Sequence, residues 1–293
     1  MIDRRDLLRL GACGAGAVFV NALAGCAARP GAARDFYFVQ LSDAHWGYEG
    51  PANPDAAVTL PKAVASVNAL PEPPDFIVFT GDLTHTTDDP AERRRRMAGF
   101  KAIVKDLKVR TVHFMPGEHD AGLDGGEAFR EAFGPTHYTF THDGVQFIVL
   151  DNVSQPGSTL GDTQLQWLQA QLAPLKRDAP LVVFTHRPLF DLAPQWDWAT
   201  RDGARAIELL MPFQHVTVFY GHIHQAHHHR TAHIEHHAAR SLIFALPAPG
   251  SQPQRTPLPW DPAVPYQGLG WREVEAEAAE ARFTLAERPV VRS

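Results

Sequence analysis

Cysteine is nearly absent. The 293 residues hold two, Cys13 and Cys26, both close to the N-terminus. The rest of the chain has no thiol for a disulfide or for a cysteine-ligated metal. Any metal held beyond residue 26 must sit on His and carboxylates, and His is plentiful at 16 residues. An excess of positive charge is missing too: 27 Lys and Arg against 33 Asp and Glu give a net −6. That argues against a broad basic surface, so no nucleic-acid partner is expected. Long hydrophobic runs are also lacking. The uncharged run Leu10 to Leu23 falls short of the ~20 residues that a membrane-spanning helix needs. What remains, 44 % hydrophobic and 20 % charged, is enough to bury a substantial core.

The first residues read as an address rather than as part of the fold. Arg4-Arg5 stand before Asp6-Leu7-Leu8 and the Leu10–Leu23 run, which suits the hydrophobic region of a signal peptide. The paired arginines resemble a twin-arginine export signal. Leu23-Ala24-Gly25-Cys26 resembles a bacterial lipobox, whose cysteine becomes lipidated and N-terminal. An ordinary cleaved signal with an incidental cysteine is the other reading. The expected organisation is a signal peptide over 1–25, a tether over 26–34 and one folded domain over 35–293. The expected location is the cell envelope or periplasm, with a lipid anchor on Cys26 touching the membrane.

Beyond the tether, short apolar runs alternate with amphipathic ones. Phe36–Leu41, Phe76–Thr80, Thr111–Met115, Phe147–Leu150, Leu181–Thr185 and Val216–Tyr220 read as strands from their β-branched and aromatic content. Ala56–Leu70, Pro90–Leu107, Gly126–Phe133, Asp162–Leu172 and Gly203–Leu210 read as helices. Asp162 is placed as the N-cap of its helix, with Leu165, Leu168 and Leu172 on one face. Tyr138–Phe140 and Val145–Leu150 form a hairpin around His142-Asp143-Gly144. Strands alternating with helices predict an α/β protein. After His227 no helix is evident until Glu273–Ala281, whose Glu and Ala content is ambiguous. Pro247–Pro265 is a long loop, of the kind that tends to be functional or mobile.

The polar residues fall at the ends of the apolar strands. Asp43-Ala44-His45, Gly81-Asp82, Gly117-Glu118-His119-Asp120, Thr185-His186 and Gly221-His222-Ile223-His224 each close a run. Open α/β sheets bind ligands at those strand ends. Any single His after a strand is unremarkable; five such ends in order point to a metal site.

This series resembles the calcineurin-like metallophosphoesterases, across Phe36 to His224. The Gly-His-Ile-His-Gln segment is most similar to their class III cyclic-nucleotide phosphodiesterases. The resemblance implies an α/β/β/α sandwich of two mixed sheets flanked by helices, so that 35–293 is a metallophosphoesterase domain. It implies two divalent or mixed-valence ions, with Asp43, His45 and His224 on one and His186 and His222 on the other. Asp82 would bridge them and Glu118 would join the second. Such ligands suit Mn, Fe or Zn rather than Ca. The implied reaction is hydrolysis of a small phosphate ester, phosphodiesters before phosphomonoesters, by a metal-bridging hydroxide. His119 would protonate the leaving oxygen and Asp120 would orient that imidazole. The alternative is a non-catalytic metal-binding envelope lipoprotein on the same fold.

One position departs from the family's pattern. Glu118 stands where Asn is usual, adding a negative charge and a longer reach. A tolerated ligand swap is favoured over an altered metal or substrate class. The purple acid phosphatases carry a Tyr three residues after the bridging Asp; here that position is His85, read as a plain loop residue, with a role behind the ligands or against the substrate as the other reading. Six histidines at 227, 228, 229, 233, 236 and 237 are read as a solvated hairpin, with metal capture or binding of an anionic substrate as the competing idea. Arg93–Arg96 is read as a solvated helix face, and Gly81 and Gly117 as tight turns. Trp196, Trp198 and Trp260 either stack on a substrate or cover the core.

Overall fold

The computed structural model describes residues 35–291; the expected signal peptide, tether and Cys26 lie outside them. Strand β1 (Phe36–Leu41) sets the plan through its alternation. Phe36 and Phe38 point to one side, Val39 and Leu41 to the other. Parallel to it run β2 (Phe76–Thr80) and then β3 (Val112–Met115). On its other edge lie antiparallel β10 (Gly270–Glu277) and β11 (Arg282–Pro289), giving the order β11-β10-β1-β2-β3. The second sheet takes β4 (Tyr138–His142), β5 (Val145–Val149), β6 (Pro180–Phe184), β7 (His215–Tyr220), β8 (His227–Thr231) and β9 (Ile234–Ala238) in the order β4-β5-β6-β7-β9-β8. Its central strands β5, β6, β7 and β9 are parallel.

The sheets face each other across a layer of phenylalanines. Phe38 stacks on Phe76 at 4.8 Å and meets Phe147, Phe184 and Phe219 edge-on at 5.6–6.2 Å. Rings interlocked in this way hold two sheets in register as well as burying area. On the outside of the first sheet pack α1 (Ala56–Asn68), α2 (Pro90–Val104) and α4 (Glu127–Phe133), through Leu60, Val64, Phe100 and Phe129. The four-residue α3 (Glu118–Ala121) precedes α4. On the outside of the second sheet pack α5 (Gly161–Leu172) and α6 (Gly203–Leu210), through Leu165, Leu168, Leu172 and Leu210. The fold is the expected α/β/β/α sandwich of two mixed sheets. Among the described residues no helix is long and apolar enough to cross a membrane.

Three local readings change. Asp162 lies inside α5 rather than capping it; Asp202, from the start of α6, accepts the N–H groups of Leu160 and Gly161 at 2.8 and 2.9 Å. A cap supplied from 41 and 42 residues away leaves no mark in the helix's own sequence. The ambiguous Glu273–Ala281 stretch is mostly strand β10. Val274 and Ala276 face the inter-sheet core, while Glu273, Glu275 and Glu277 face out. The arginines of α2 are not a free basic face. Arg93 is buried on Asp124 at 3.0 Å, Arg94 pairs with Glu131, and Arg95 and Arg96 with Glu92.

Candidate metal centre

All five motif-bearing strands end on the same side of the sandwich. Strands β1, β2 and β3 of one sheet and β6 and β7 of the other send their following loops to a common rim. The loop after β1 is stitched to the loop after β2: Asp43 N–H donates to Gly81 O at 3.1 Å and His45 N–H to Asp82 O at 2.9 Å. Asp43, His45, Asp82, His222 and His224 all adopt left-handed backbone, with φ between 43° and 66°. Such conformations cost non-glycine residues roughly 1–3 kcal/mol each and gather where function demands them. Gly221 lets β7 come this close, since a Cβ there would lie 2.1 Å from Ser42 Oγ and 2.7 Å from Asp43 Oδ2. Gly117 plays the same part beside Asp82, at 2.1 Å from its Oδ1. Its backbone is extended, so closeness rather than the turn expected there explains this glycine.

The side chains converge in two overlapping groups. His224 Nε2 lies 3.4 Å from Asp43 Oδ1 and 3.3 Å from His45 Nε2. Glu118 reaches His186 Nε2 at 2.9 Å and His222 Nδ1 at 2.8 Å. Asp82 Oδ2 sits between the groups, 3.4 Å from His45 Nε2 and 3.3 Å from His186 Nε2. All seven expected ligands are therefore brought together, with Asp82 in the shared position. Backbone carbonyls fix two of the rings. His186 Nδ1 donates to Thr80 O at 2.7 Å and His224 Nδ1 to Phe244 O at 2.8 Å, leaving Nε2 free to face inward.

The donor atoms ask for cations. His186 Nε2 and Glu118 Oε2 are buried with no hydrogen-bond partner, although they face each other. With Nδ1 donating to Thr80, both present lone pairs, a pairing that is stable only around positive charge. Burial opposes charging His186, yet Asp82 and Glu118 hold its imidazole well above the usual range. Burial also resists ionising Glu118, and His222 and His186 outweigh it, holding its carboxyl well below normal. Burial pushes His222 down to about 4 against the pull of Glu118. The pocket attracts protons or metal ions by the same field.

Asp120 does something other than expected. Its Oδ2 accepts the N–H groups of Leu83 and Gly117 at 2.9 and 3.0 Å, and its Oδ1 accepts the N–H and hydroxyl of Thr84, each at 2.9 Å. Burial and nearby Asp82 push its carboxyl up to about 6 against these donors. No hydrogen bond joins it to His119. Asp120 ties the loop after β2 to the turn after β3, and so positions Asp82 and Glu118. The His119 ring is set by Thr86, whose N–H donates to Nδ1 at 3.2 Å. This leaves His119 Nε2 near the cavity, 4.0 Å from Asp82 Oδ2.

Two further residues at the site, Arg187 and Arg255, were not anticipated, and His85 takes the role weighed as its lesser reading. His85 stacks on His119 with centroids 4.8 Å apart, and its Nδ1 lies 3.2 Å from His45 Nδ1. Burial, with His119 and Arg96 nearby, pushes His85 down to about 4, so it can accept the His45 Nδ1 hydrogen and leave Nε2 to face Asp82. Arg187, next to His186 and buried, places Nη1 3.8 Å from Glu118 Oε1. The added charge of Glu118 thus has a guanidinium nearby, one that also pairs with Asp197 Oδ2 at 3.0 Å. Arg255 comes from the Pro247–Pro265 loop to 3.5 Å from His222 Nε2. With Phe244, Leu246 and Pro257 it walls a cavity of about 180 Å³ over His45, Asp82, Glu118, His119, His222 and His224. Trp196 and Trp198 are buried against each other and cover the core; Trp260 lines a neighbouring apolar cleft.

The profile of the calcineurin-like phosphoesterases matches residues 36–226. The chain is 27 % identical over 243 residues to a probable cyclic nucleotide phosphodiesterase of Rhodopseudomonas palustris, covering 74 % of this chain and 83 % of that one. It is 30 % identical over 178 residues to the serine/threonine-protein phosphatase CPPED1 of Mus musculus, covering 53 % and 57 %. Among solved structures, a dimetal phosphatase from Danio rerio superposes with a TM-score of 0.61 at 16 % identity, over 87 % of this chain and 96 % of that one. That last likeness is one of fold. The matched segment runs from β1 to just past the last of the five strand-end motifs, and on it the chain belongs to the calcineurin-like phosphoesterase family.

Proposed function

We propose that the protein hydrolyses phosphate esters, phosphodiesters in preference to phosphomonoesters, with two transition-metal ions held by the converging side chains. The observation that carries this reading is Asp82 Oδ2 standing between two ligand groups on the floor of one cavity that His119 also lines. Asp43, His45 and His224 would hold one ion, and Glu118, His186 and His222 the other. Imidazole and carboxylate donors suit Mn, Fe or Zn. When bound, the pair supplies Lewis acidity and activates water near neutral pH. The chain supplies the rest. His119 presents Nε2 to the leaving oxygen, and His85 and Thr86 hold that ring in place. Arg255 faces the cavity without a carboxylate partner among the described residues, and is placed to bind a non-bridging phosphate oxygen.

The preference for diesters rests on charge. Asp43, Asp82 and Glu118 put three carboxylates at the site, and Arg187, shared with Asp197 at 3.0 Å, offsets Glu118 only in part. Against the positive charge of two bound ions, each added carboxylate weakens the hold on a doubly charged monoester more than on a singly charged diester. The name of the Rhodopseudomonas relative agrees with this preference, and that of the mouse relative points to monoesters. The test is to strip the protein with chelator, reload it with Mn, Fe or Zn, and assay a chromogenic diester and monoester. Higher kcat/KM on the diester is expected. Two bound metals with no turnover of either ester would overturn the proposal in favour of a metal-binding protein. Replacing Arg255 by alanine is expected to raise KM on the diester about tenfold, in line with the loss of one charged hydrogen bond, with metal content unchanged.

The reading also places the protein in the cell envelope, anchored through Cys26. Its support is the paired arginines and the Leu-Ala-Gly-Cys segment of the sequence. Cys26→Ser should move the protein from the membrane fraction to the soluble one in its native host; an unchanged partition removes the anchor.

A further inference from the structure

The histidines at 227–237 are divided by the strands that carry them. Hairpin β8–β9 pairs His228 with His237 and His229 with His236 across antiparallel strands, so the two pairs fall on opposite faces. On one face, His236 is fully buried and His229 stacks on Phe190 at 3.7 Å. That pair is packing. His227 is engaged by the Tyr220 hydroxyl at 3.1 Å and His233 by Phe213 O at 2.5 Å. The other face is different. His228 and His237 lie parallel with centroids 4.8 Å apart, and Glu235, two residues before His237, turns to the same side. Glu235 Oε2 lies 2.5 Å from His228 Nε2.

We propose that His228, Glu235 and His237 form a further transition-metal site on this face, separate from the centre described above. One ligand atom from each of the three lies within 4.8 Å of the others. None of the three lines the cavity that holds Asp82 and His119. Two imidazole nitrogens and one carboxylate oxygen are a recurrent donor set for Zn²⁺, which takes them tetrahedrally and keeps a fourth position for water. His237 is the fixed member, its ring held 5.7 Å from Phe219 in the inter-sheet core. His228 and Glu235 are the adjustable ones, with side chains 58 % and 31 % exposed. Small rotamer changes in these two close the set around an ion. Arg272 adds positive charge nearby, but Glu287 neutralises it at 2.5 Å. Among the described residues the rival for the carboxylate is Arg230, whose Nε lies 2.9 Å from Glu235 Oε1.

Register makes this a site and not merely a histidine-rich stretch. A one-residue slip between β8 and β9 would set the buried and exposed rings opposite each other and dissolve both pairs. Three protein ligands and an open position describe an exchangeable ion, held less firmly than one enclosed by four.

The test compares metal uptake by the whole chain, stripped with chelator and titrated with Zn²⁺ alone in equilibrium dialysis. Wild type should bind one equivalent more than either His228→Ala or His237→Ala. That difference of one holds whatever the centre at Asp82 binds, so its failure is distinct from failure of the proposed hydrolysis. Equal uptake by wild type and both variants would overturn the site. His228 lies on the surface, so its variant is expected to fold, and an unchanged melting temperature verifies that. Arg230→Ala, which releases Glu235 from its ion pair, should tighten the additional site several-fold; unchanged affinity would remove Glu235 as a ligand and the three-ligand site with it.

Discussion

Replacing His119 by alanine is expected to cut turnover of a phosphodiester with an alkoxide leaving group by about 10²–10⁴, the usual worth of a general acid. The geometry supports a proton donor at this position. His119 Nδ1 accepts from Thr86 N–H, so the neutral ring carries its hydrogen on Nε2, beside Asp82 at the cavity, as a hydrogen-bond donor. To transfer a proton the ring must first take a second one on Nδ1 and release the Thr86 contact. The loss should depend on the leaving group. A nitrophenolate departs without a proton, so the same substitution should cost far less with that substrate. His119→Gln separates two versions of the role, because Gln keeps a hydrogen-bond donor but has no proton to give up. Recovery of most of the rate would mean that His119 stabilises charge by hydrogen bonding alone. No recovery would mean that the proton is transferred. Steady-state kinetics on an alkyl and a nitrophenyl diester measure both. Equal losses on the two substrates in His119→Ala, with metal content intact, would remove leaving-group assistance altogether.

The ligands of the centre were legible because each sits at a strand end with its own local signature. An apolar run stops and a polar ligand follows at once, after a glycine at Asp82, Glu118 and His222 and after a hydroxyl residue at Asp43 and His186. The helices facing the sheets were legible for the same reason, since α1, α2, α5 and α6 carry their patterns within themselves. What stayed hidden depends on distant partners. The carboxylate of Asp202 caps α5 from the start of α6. Strand β10 is ambiguous by composition, and only its place between β1 and β11 makes Val274 and Ala276 core residues. His85 and Arg255 sit in loops with no motif, and reach the site because neighbouring loops hold them there. Arg187 could have been suspected, because an extra carboxylate at Glu118 requires an extra cation and His186-Arg187 supplies one in sequence. The pairing also explains how Glu118 is accommodated: its charge is answered in part within the same pocket, at 3.8 Å.

Asp120 is where sequence and structure part most clearly, and where substitution should damage the fold rather than the chemical step. Asp120→Ala would strand the buried N–H groups of Leu83, Thr84 and Gly117. Each such loss costs about 1–3 kcal/mol, so a total of roughly 3–6 kcal/mol is expected, allowing some rescue by water. Against a usual stability of about 5–15 kcal/mol, that is enough to unfold a fraction of the protein at growth temperature. The damage would reach the metals as well. The freed loops carry Asp82 and Glu118, and Asp82 Oδ1 in turn accepts the N–H of His119 at 2.9 Å. Chemical denaturation and metal content should therefore fall together. Asp120→Asn keeps one oxygen for Leu83 and Gly117 but turns an amide N–H₂ toward Thr84, so it should lie between wild type and alanine. The contrast with an orienting role is sharp. A residue that merely aligned His119 would leave stability and metal untouched and lower kcat alone. A clamp lowers both, while kcat per metal-loaded molecule stays near wild type. Finding the first pattern in Asp120→Asn would return Asp120 to the catalytic step.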